Sequence, residues 1–464
     1  MKTVQDTVDI TNTQAALTRE LAMQLVEQAQ AAGATDAEAV LYEGDEFEAL
    51  VRKGEVERLK DSGSRAAGLR VFLGKRTAST TTNDLTPAGM ERLVRGAIDL
   101  ARVTSEDPFA GLPDADVYGR LSGDLKLYHE DVAGVPVAQR IDMARRADAA
   151  CFAADPLIVN SRGGSYDSGS GHKILANSRG FAGEYRRSIC SVSASPIARS
   201  ADGQMQRDYW YTSARSAAAL EAPESVGEEA ARRTLRRLGA RSVPTQQVPV
   251  LFSPDVARSI VGHIFEAANG SLIYHQSSFF AGLLGEPVAS PELTIIDDGT
   301  LPGGFGTAPF DGEGLPTRRT VIVERGVLKN YLLNTYMARK LNMASTGNAS
   351  RGLAGAPGIG GGNLFLESAA PMAPETMISD LRTGFYVTEL IGQGVNMVTG
   401  DYSRGASGLW IENGELAYPV EGVTIAGNLR EMFRNISAAG DDLVFRGSVA
   451  SPTLRVDGLT IAGA

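Results

Sequence analysis

Two side chains on one predicted helix have the types and the spacing for proton transfer. His263 and Glu266 are three residues apart, so on a helix they share a face and form a candidate catalytic pair. The alternative is a packed histidine beside a glutamate near the helix end. The zinc-protease motif needs a second histidine four residues after the first, and here Ala267 stands four residues after His263. No zinc site can therefore be built from this helix alone.

A second polar group, Tyr402, Ser403 and Arg404, lies in a run over 399–408 that we interpret as a turn. The planar guanidinium fork of Arg404 suits a peptide backbone or a terminal carboxylate. These three residues are therefore candidate peptide-binding residues. The alternative is a tight turn that local hydrogen bonds stabilise.

Two glycine-rich runs are poor candidates for nucleotide binding. The run at 163–171 lacks the Lys-Ser/Thr ending of a phosphate-binding loop and opens no obvious helix. The run at 358–362 precedes a strand-like segment, which is the wrong order for a dinucleotide fingerprint. We expect both runs to be plain flexible loops.

The helix that carries His263 is predicted from its start signals and its apolar stripe. It follows an apolar strand at 248–252, with Ser253 suited to the N-cap and Pro254 to the first helical position. Its apolar side chains repeat every four residues, at Val256, Ile260, Ile264 and Ala268. Such a stripe faces a core, so His263 lies at the border of a buried surface.

Composition places the chain among globular proteins and limits its partners. The 464 residues are 43% hydrophobic and 22% charged, and the length suggests about three domains. The net charge of -10 argues against nucleic acid or an anionic membrane as a partner held by bulk charge. No run of 18 apolar residues occurs, so we expect no transmembrane helix.

Cysteine usage and the N-terminus indicate where the protein works. Cys151 and Cys190 are too few for a disulfide framework and fit a reducing compartment, most simply the cytoplasm. Residues 1–14 are polar and lack an apolar segment, so we expect no secretory signal. The four histidines are far apart in sequence, so spacing predicts no metal site.

The order of predicted elements indicates an α+β fold with mixed or antiparallel sheets, packed helices and a β-rich C-terminal half. A turn-rich stretch at 106–123 is a plausible linker. We predict an N-terminal α+β segment at 1–115, a central α+β segment at 116–243 and a C-terminal β-rich domain at 244–464.

The C-terminal segment resembles the TldD/PmbA family of metalloprotease subunits, and most closely its PmbA (TldE)-type members. The resemblance spans most of 244–464 and covers the earlier segments more loosely. It rests on these runs: Thr346-Gly347-Asn348, residues 387–394 with their Gly-Gln-Gly, Gly400-Asp401-Tyr402-Ser403-Arg404-Gly405-Ala406, Trp410-Ile411-Glu412-Asn413-Gly414 and residues 424–429.

This resemblance implies a subunit without its own zinc. TldD-type subunits carry His-Glu-x-x-x-His on the corresponding helix, and that pattern falls here on Val261, Gly262 and Glu266. Their late zinc-binding cysteine has no counterpart in 446–451. The resemblance therefore implies no cofactor in this chain and zinc in a TldD-like partner. It further implies a complex that cleaves unfolded peptides, in peptide-precursor maturation and antitoxin degradation.

Two interpretations stay open. In the first, the chain is one subunit of a heteromeric zinc peptidase, helps to enclose the chamber and binds peptide. In the second, it is a self-associating peptide-binding protein without chemistry, a homodimer in isolation. A neighbouring gene for the His-Glu-x-x-x-His subunit would favour the first.

Overall fold

The computed structural model describes residues 17–119 and 123–463. The segment 1–14, for which we expect no secretory signal, lies outside the described residues. Within the described residues the helices are α1 (Arg19–Ala31), α2 (Pro87–Val103), α3 (Asp131–Gly134), α4 (Val137–Ala154), α5 (Pro223–Leu235), α6 (Pro254–Ala267), α7 (Gly270–Tyr274), α8 (Thr335–Leu341), α9 (Pro374–Ser379) and α10 (Leu429–Arg434). None of these helices is long and apolar enough to span a bilayer.

The strands alternate with these helices and confirm the predicted α+β class. Those before α6 are β1 (Asp36–Arg52), β2 (Glu55–Leu73), β3 (Arg76–Thr82), β4 (Ile158–Asn177), β5 (Ala182–Arg199), β6 (Met205–Arg207), β7 (Trp210–Ala214) and β8 (Gln246–Phe252). Those after α6 are β9 (Leu293–Asp298), β10 (Arg319–Glu324), β11 (Val327–Leu328), β12 (Ala349–Ser350), β13 (Gly358–Ile359), β14 (Asn363–Ser368), β15 (Thr383–Ile391), β16 (Asp401–Glu412), β17 (Glu415–Asn428), β18 (Ile436–Ala439) and β19 (Leu454–Ala462).

One antiparallel sheet, in the order β3-β2-β1-β4-β5-β6 with β7 beside β5, runs through both of the first two predicted segments. The two segments are joined by the pairing of β1 with β4. The domain boundaries near 115 and 243 stay a prediction.

Two pairs of helices cover the two ends of one face of this sheet. Because side chains alternate along a strand, the odd-numbered residues of β1 share a face. Ala37, Ala39 and Leu41 pack under α1 and α2, while Ala49 and Val51 pack under α4 and α5. The even-numbered residues lie on the opposite face, where Val40 packs with Leu175 and Phe181 of its own half and with Phe310 of the C-terminal half.

The glycine-rich run at 163–171 is part of strand β4, so our expectation of a flexible loop was wrong. Both edges of β4 are paired there, with β1 and with β5. A side chain at Gly164 would overlap the carbonyl oxygen of Ala144 in α4. The glycines therefore let a helix and two strands approach closely, a function that local sequence does not distinguish from a loop.

The C-terminal half contains a mixed sheet in the order β17-β16-β15-β8-β19-β18. β8 runs parallel to β15, and an additional pairing of β17 with β19 closes the sheet on itself. A second sheet has the order β11-β10-β9-β14. α6 follows β8 directly, and its buried residues Val256, Ile260 and Ile264 belong to the core of this half. The predicted helix and its apolar stripe are thus confirmed.

Candidate functional site

Three of the five side chains predicted for chemistry, His263, Tyr402 and Arg404, meet where α6 contacts the start of β16. We call Ser259, His263, Tyr402 and Arg404 the α6 cluster. The ring centroids of His263 and Tyr402 are 6.2 Å apart, in an edge-to-face arrangement. Arg404 Nη1 donates a long hydrogen bond of 3.5 Å to the Ser259 hydroxyl. The structure therefore brings together residues that are far apart in the sequence.

The surroundings of His263 disfavour its protonated form, and its imidazole makes no close ion pair within the described residues. Burial, and then the positive charge of Arg404, lowers its pKa to about 4. Its Nε2 atom is buried and has no hydrogen-bond partner among the described residues. Its Nδ1 atom lies 3.9 Å from Glu266 Oε2, beyond hydrogen-bond length, and Glu266 is half exposed. The proposed proton relay of His263 and Glu266 is untested, but in this conformation the two groups do not hydrogen-bond.

Tyr402, Ser403 and Arg404 belong to strand β16, so the predicted turn at 399–408 was wrong from Asp401 onward. They are paired with Gly427, Ala426 and Ile425 of β17, a long-range pairing that the glycines concealed. Tyr402 is 1% exposed, which removes most of its surface from any ligand. Ser403 is exposed.

Arg404 is half-buried and is the only one of the three that carries a charge. Its Nε donates 3.0 Å to the carbonyl oxygen of Gly392, which fixes the side chain against the segment after β15. With the contact to Ser259, two of the five guanidinium N–H donors are used. The binding of peptide by these residues stays a prediction.

The residues at the family's zinc positions do not fit a metal ion. Val261 is fully buried in the core and has no donor atom, and Gly262 has no side chain. Glu266 alone offers a carboxylate. Throughout residues 17–119 and 123–463, no group of three or more His, Cys, Asp or Glu side chains could hold a metal. The absence of a cofactor in this chain remains an expectation.

A cavity that sequence analysis missed lies between the N-terminal sheet and the C-terminal half. This interdomain cavity has a volume of about 530 Å³, in the range of small-molecule sites. Its sheet side is formed by Val40, Tyr42, Lys173, Tyr185 and Arg187. The opposite side is formed by loops after β9, around 305–318 and 346–353, and by Gly360, Gly361 and Gly362.

Burial shifts several charged groups around this cavity. It raises the pKa of Asp297 and of Asp311 to about 6, against hydrogen bonds that favour the ionised forms. Burial also raises the pKa of Glu313, behind Asp311, to about 7. On the sheet side, burial and the charges of Arg351 and Arg187 lower the pKa of Lys173 to about 8.

The interdomain cavity is one end of a longer groove along the uncovered sheet face. A second cavity of about 520 Å³ shares Tyr42, Arg187 and Phe305 with it. A third, of about 550 Å³, shares Glu48 and Asp167 with the second. From Val40 to Leu50 along β1, this sheet groove extends roughly 33 Å at about 3.3 Å per residue.

Sequence reasoning had no direct signal for these residues. Lys173 follows a glycine-rich run, and Arg351 lies three residues after the Thr346-Gly347-Asn348 run that carries part of the family resemblance. The closeness of Arg351 to this run is the only feature of the sequence that pointed to the site. The pairing of β1 with β4 and the approach of the C-terminal loops create the site, and both are long-range contacts.

Comparisons with known proteins agree with this architecture. Three family models match: PmbA/TldA metallopeptidase domain 1 at 37–101, the central domain at 130–238 and the C-terminal domain at 245–463. The chain is 39% identical over 434 residues to Metalloprotease PmbA of Escherichia coli O157:H7, covering 93% of this chain and 94% of that one. It is 35% identical over 463 residues to Metalloprotease PmbA homolog of Haemophilus influenzae, covering both chains completely.

A solved structure with the same fold is TldE from Thermococcus kodakarensis, with a TM-score of 0.85 at 20% sequence identity. The match covers 96% of this chain and 100% of that one. At this identity the likeness concerns the fold alone. The three domain models and the full-length relatives establish the family on sequence: this chain belongs to the PmbA/TldD metallopeptidase family.

Proposed function

We propose that this chain is the PmbA/TldE-type subunit of a TldD–TldE-type metallopeptidase complex that cleaves unfolded peptides. The observation that carries the proposal is the pair of positions Val261 and Gly262 on α6, which in a member of this family provide no metal donor. The metal would come from a TldD-like partner, where it would activate water. A relative named Metalloprotease TldD homolog, from Haemophilus influenzae, is 30% identical over 256 residues, or 51% of this chain.

In such a complex this chain would bind and orient the peptide. The sheet groove supports this role, because it is long, open to one side and lined by both charged and aromatic groups. An extended peptide of about ten residues matches its length of roughly 33 Å. Arg404 lines none of the three cavities of the groove; at the α6 cluster it would contact peptide through the guanidinium donors that do not bond Gly392 or Ser259.

The substrates we propose are peptide precursors that mature by cleavage and small antitoxins that are degraded, both unfolded enough to enter as extended chains. We also propose a cytoplasmic location, because both cysteines are free and buried, as is usual in a reducing compartment. A non-catalytic peptide-binding protein that self-associates is the alternative.

The test compares this chain, a TldD-like partner and their mixture on an unstructured peptide. We expect the chain alone to bind no stoichiometric zinc by elemental analysis and to leave the peptide intact. The mixture should associate and cleave, and a chelator should stop the cleavage. Chelator-sensitive cleavage by this chain alone would contradict the assignment of the metal to the partner. A mixture that neither associates nor cleaves would favour the peptide-binding alternative.

Arg404→Ala tests the role of the α6 cluster within the complex. Losing a charge-assisted hydrogen bond of about 1.5–3 kcal/mol should lower kcat/KM about tenfold to a hundredfold. Association with the partner should be unchanged. Arg382→Ala is the matched control, since it removes an exposed positive charge that belongs neither to the α6 cluster nor to the cavities of the sheet groove. Equal loss in both variants would indicate a general charge effect instead of peptide placement.

A further inference from the structure

The two carboxylates that line the interdomain cavity, Asp297 and Asp311, accept hydrogen bonds from N–H groups of the protein. The Asp311 carboxylate accepts backbone N–H bonds from Glu313, Leu315 and Ala349. Asp297 accepts 2.7 Å bonds from the Asn348 side chain and from the Gly362 backbone. These carboxylates therefore do not need a ligand to satisfy them.

Arg351 presents the opposite situation. Arg351 is one of the residues that line the cavity, its side chain is 0% exposed, and its Nε and Nη2 atoms have no hydrogen-bond partner among the described residues. Nη1 forms an ion pair at 2.6 Å with Glu38 Oε1, an oxygen that also accepts a 3.1 Å hydrogen bond from Arg70. The other oxygen of Glu38 has no hydrogen-bond partner either. Buried guanidinium donors normally have acceptors, so Arg351 leaves two unpaired donors beside the cavity.

Three further cations line the same cavity. Lys173 projects from β4 and is partly buried, and Arg187 and Arg318 are exposed. Within residues 17–119 and 123–463 the structure gives none of the three side chains a hydrogen bond or an ion pair with a carboxylate. Four cationic side chains thus line the cavity against two carboxylates, Asp297 and Asp311.

We propose that the interdomain cavity binds a small organic anion, with a carboxylate or phosphate group against Lys173 and near the buried Arg351. The rest of the ligand would be apolar, because Tyr185, Phe305 and Phe310 form another part of the wall. The volume of about 530 Å³ accommodates a molecule of one or two amino-acid residues in size. The proposal concerns the isolated chain and depends on neither the partner subunit nor the metal.

Calorimetric titration of the full chain tests this site with three probes of similar shape. N-acetylphenylalanine carries a carboxylate, phenyl phosphate carries a phosphate, and N-acetylphenylalaninamide is the neutral match of the first. We expect at least one of the two anions to bind at millimolar or lower concentration, and which one binds identifies the headgroup. The amide should bind at least about tenfold more weakly than the carboxylate if the carboxylate is the preferred group.

Two variants locate the binding. Lys173→Met should lower the affinity for the anion about tenfold or more. Arg318→Gln should lower it by a smaller factor, and because Arg318 is exposed this substitution leaves the core intact. Arg382→Gln should bind as the wild type does. The proposal is overturned if neither anion binds at millimolar concentration. It is overturned as well if phenyl phosphate does not bind and the neutral amide binds as tightly as the carboxylate, because binding would then not depend on negative charge. It is also overturned if Lys173→Met and Arg318→Gln, both folded by circular dichroism, bind as the wild type does. If Lys173→Met does not fold, the result for Arg318→Gln decides.

Discussion

His263 should be neutral at pH 7, a property that decides which chemistry the α6 cluster can support. With a pKa lowered to about 4 by burial, and then by Arg404, only about one molecule in a thousand carries the proton at pH 7. An ordinary histidine would be protonated in about one molecule in four. A neutral imidazole can accept a hydrogen bond from a peptide N–H, but it cannot bind a carboxylate by charge.

The same shift predicts a direction for stability. The folded chain disfavours the proton that the unfolded chain accepts near pH 6.5, so the contribution of His263 is complete above that pH. It is lost as the pH falls towards about 4. A shift from 6.5 to about 4 corresponds to about 3 kcal/mol, at 1.36 kcal/mol per pH unit. His263→Gln should remove this acid sensitivity.

The assay is an NMR titration of the imidazole resonances, with His263→Gln to assign the signal. We expect the His263 resonances not to titrate between pH 8 and 5. Arg404→Gln should raise the His263 pKa by less than the full shift, because burial is the larger cause and remains. Arg382→Gln is again the control and should leave the titration unchanged. A midpoint near 6.5 in the wild type would refute the reasoning and restore His263 as a candidate acid at neutral pH.

Two further variants test the groups around the interdomain cavity. Burial raises the pKa of Asp297 from 3.8 to about 6, so its stabilising contribution is complete below pH 3.8 and is lost as the pH rises to about 6. Between pH 4 and 7, the free energy of unfolding of Asp297→Asn, measured with denaturant, should therefore rise by about 3 kcal/mol relative to that of the wild type. A difference between the two proteins that does not change with pH would contradict the pKa shift. A methyl group at Gly68 of β2 would overlap the Leu353 carbonyl oxygen, so Gly68→Ala should lower the free energy of unfolding by about 1–3 kcal/mol. Gly63→Ala, in the same strand with its nearest neighbour at 3.9 Å, should change it little, and equal thermal melting of the two variants would show that the loop moves freely.

The sequence predicted best those elements whose signals are local. α6 combines a proline at its first turn with a stripe of apolar residues four apart, and both features act within a single helix. The α+β class likewise follows from the order of local patterns. Each of these predictions was confirmed, because neither depends on which distant segment lies beside it.

The predictions that were wrong concern glycine-rich segments in strands. At 163–171 and at 401–408 the glycines permit close approach of neighbouring strands or helices, whereas in an isolated sequence they indicate a turn. The interdomain cavity was missed for a related reason. Glu38, Lys173 and Arg351 come from three distant segments, and only the pairing of β1 with β4 and the position of the C-terminal loops bring them together.

The sheet groove is a consequence of covering a long antiparallel sheet on one face only. The odd-numbered residues of β1 at 37–41 and at 47–51 are small or apolar and are buried by helices, whereas Glu43 and Asp45 between them line a separate cavity. The even-numbered residues then face the C-terminal half, and over the interval from Tyr42 to Glu48 they line cavities instead of a packed interface. Four cations and two carboxylates line the interdomain cavity, whereas four of each line the cavity at the far end, where Arg237 pairs with Glu389 at 2.6 Å. The two ends of the groove therefore differ in net charge, and an anionic group would bind preferentially at the end near Arg351.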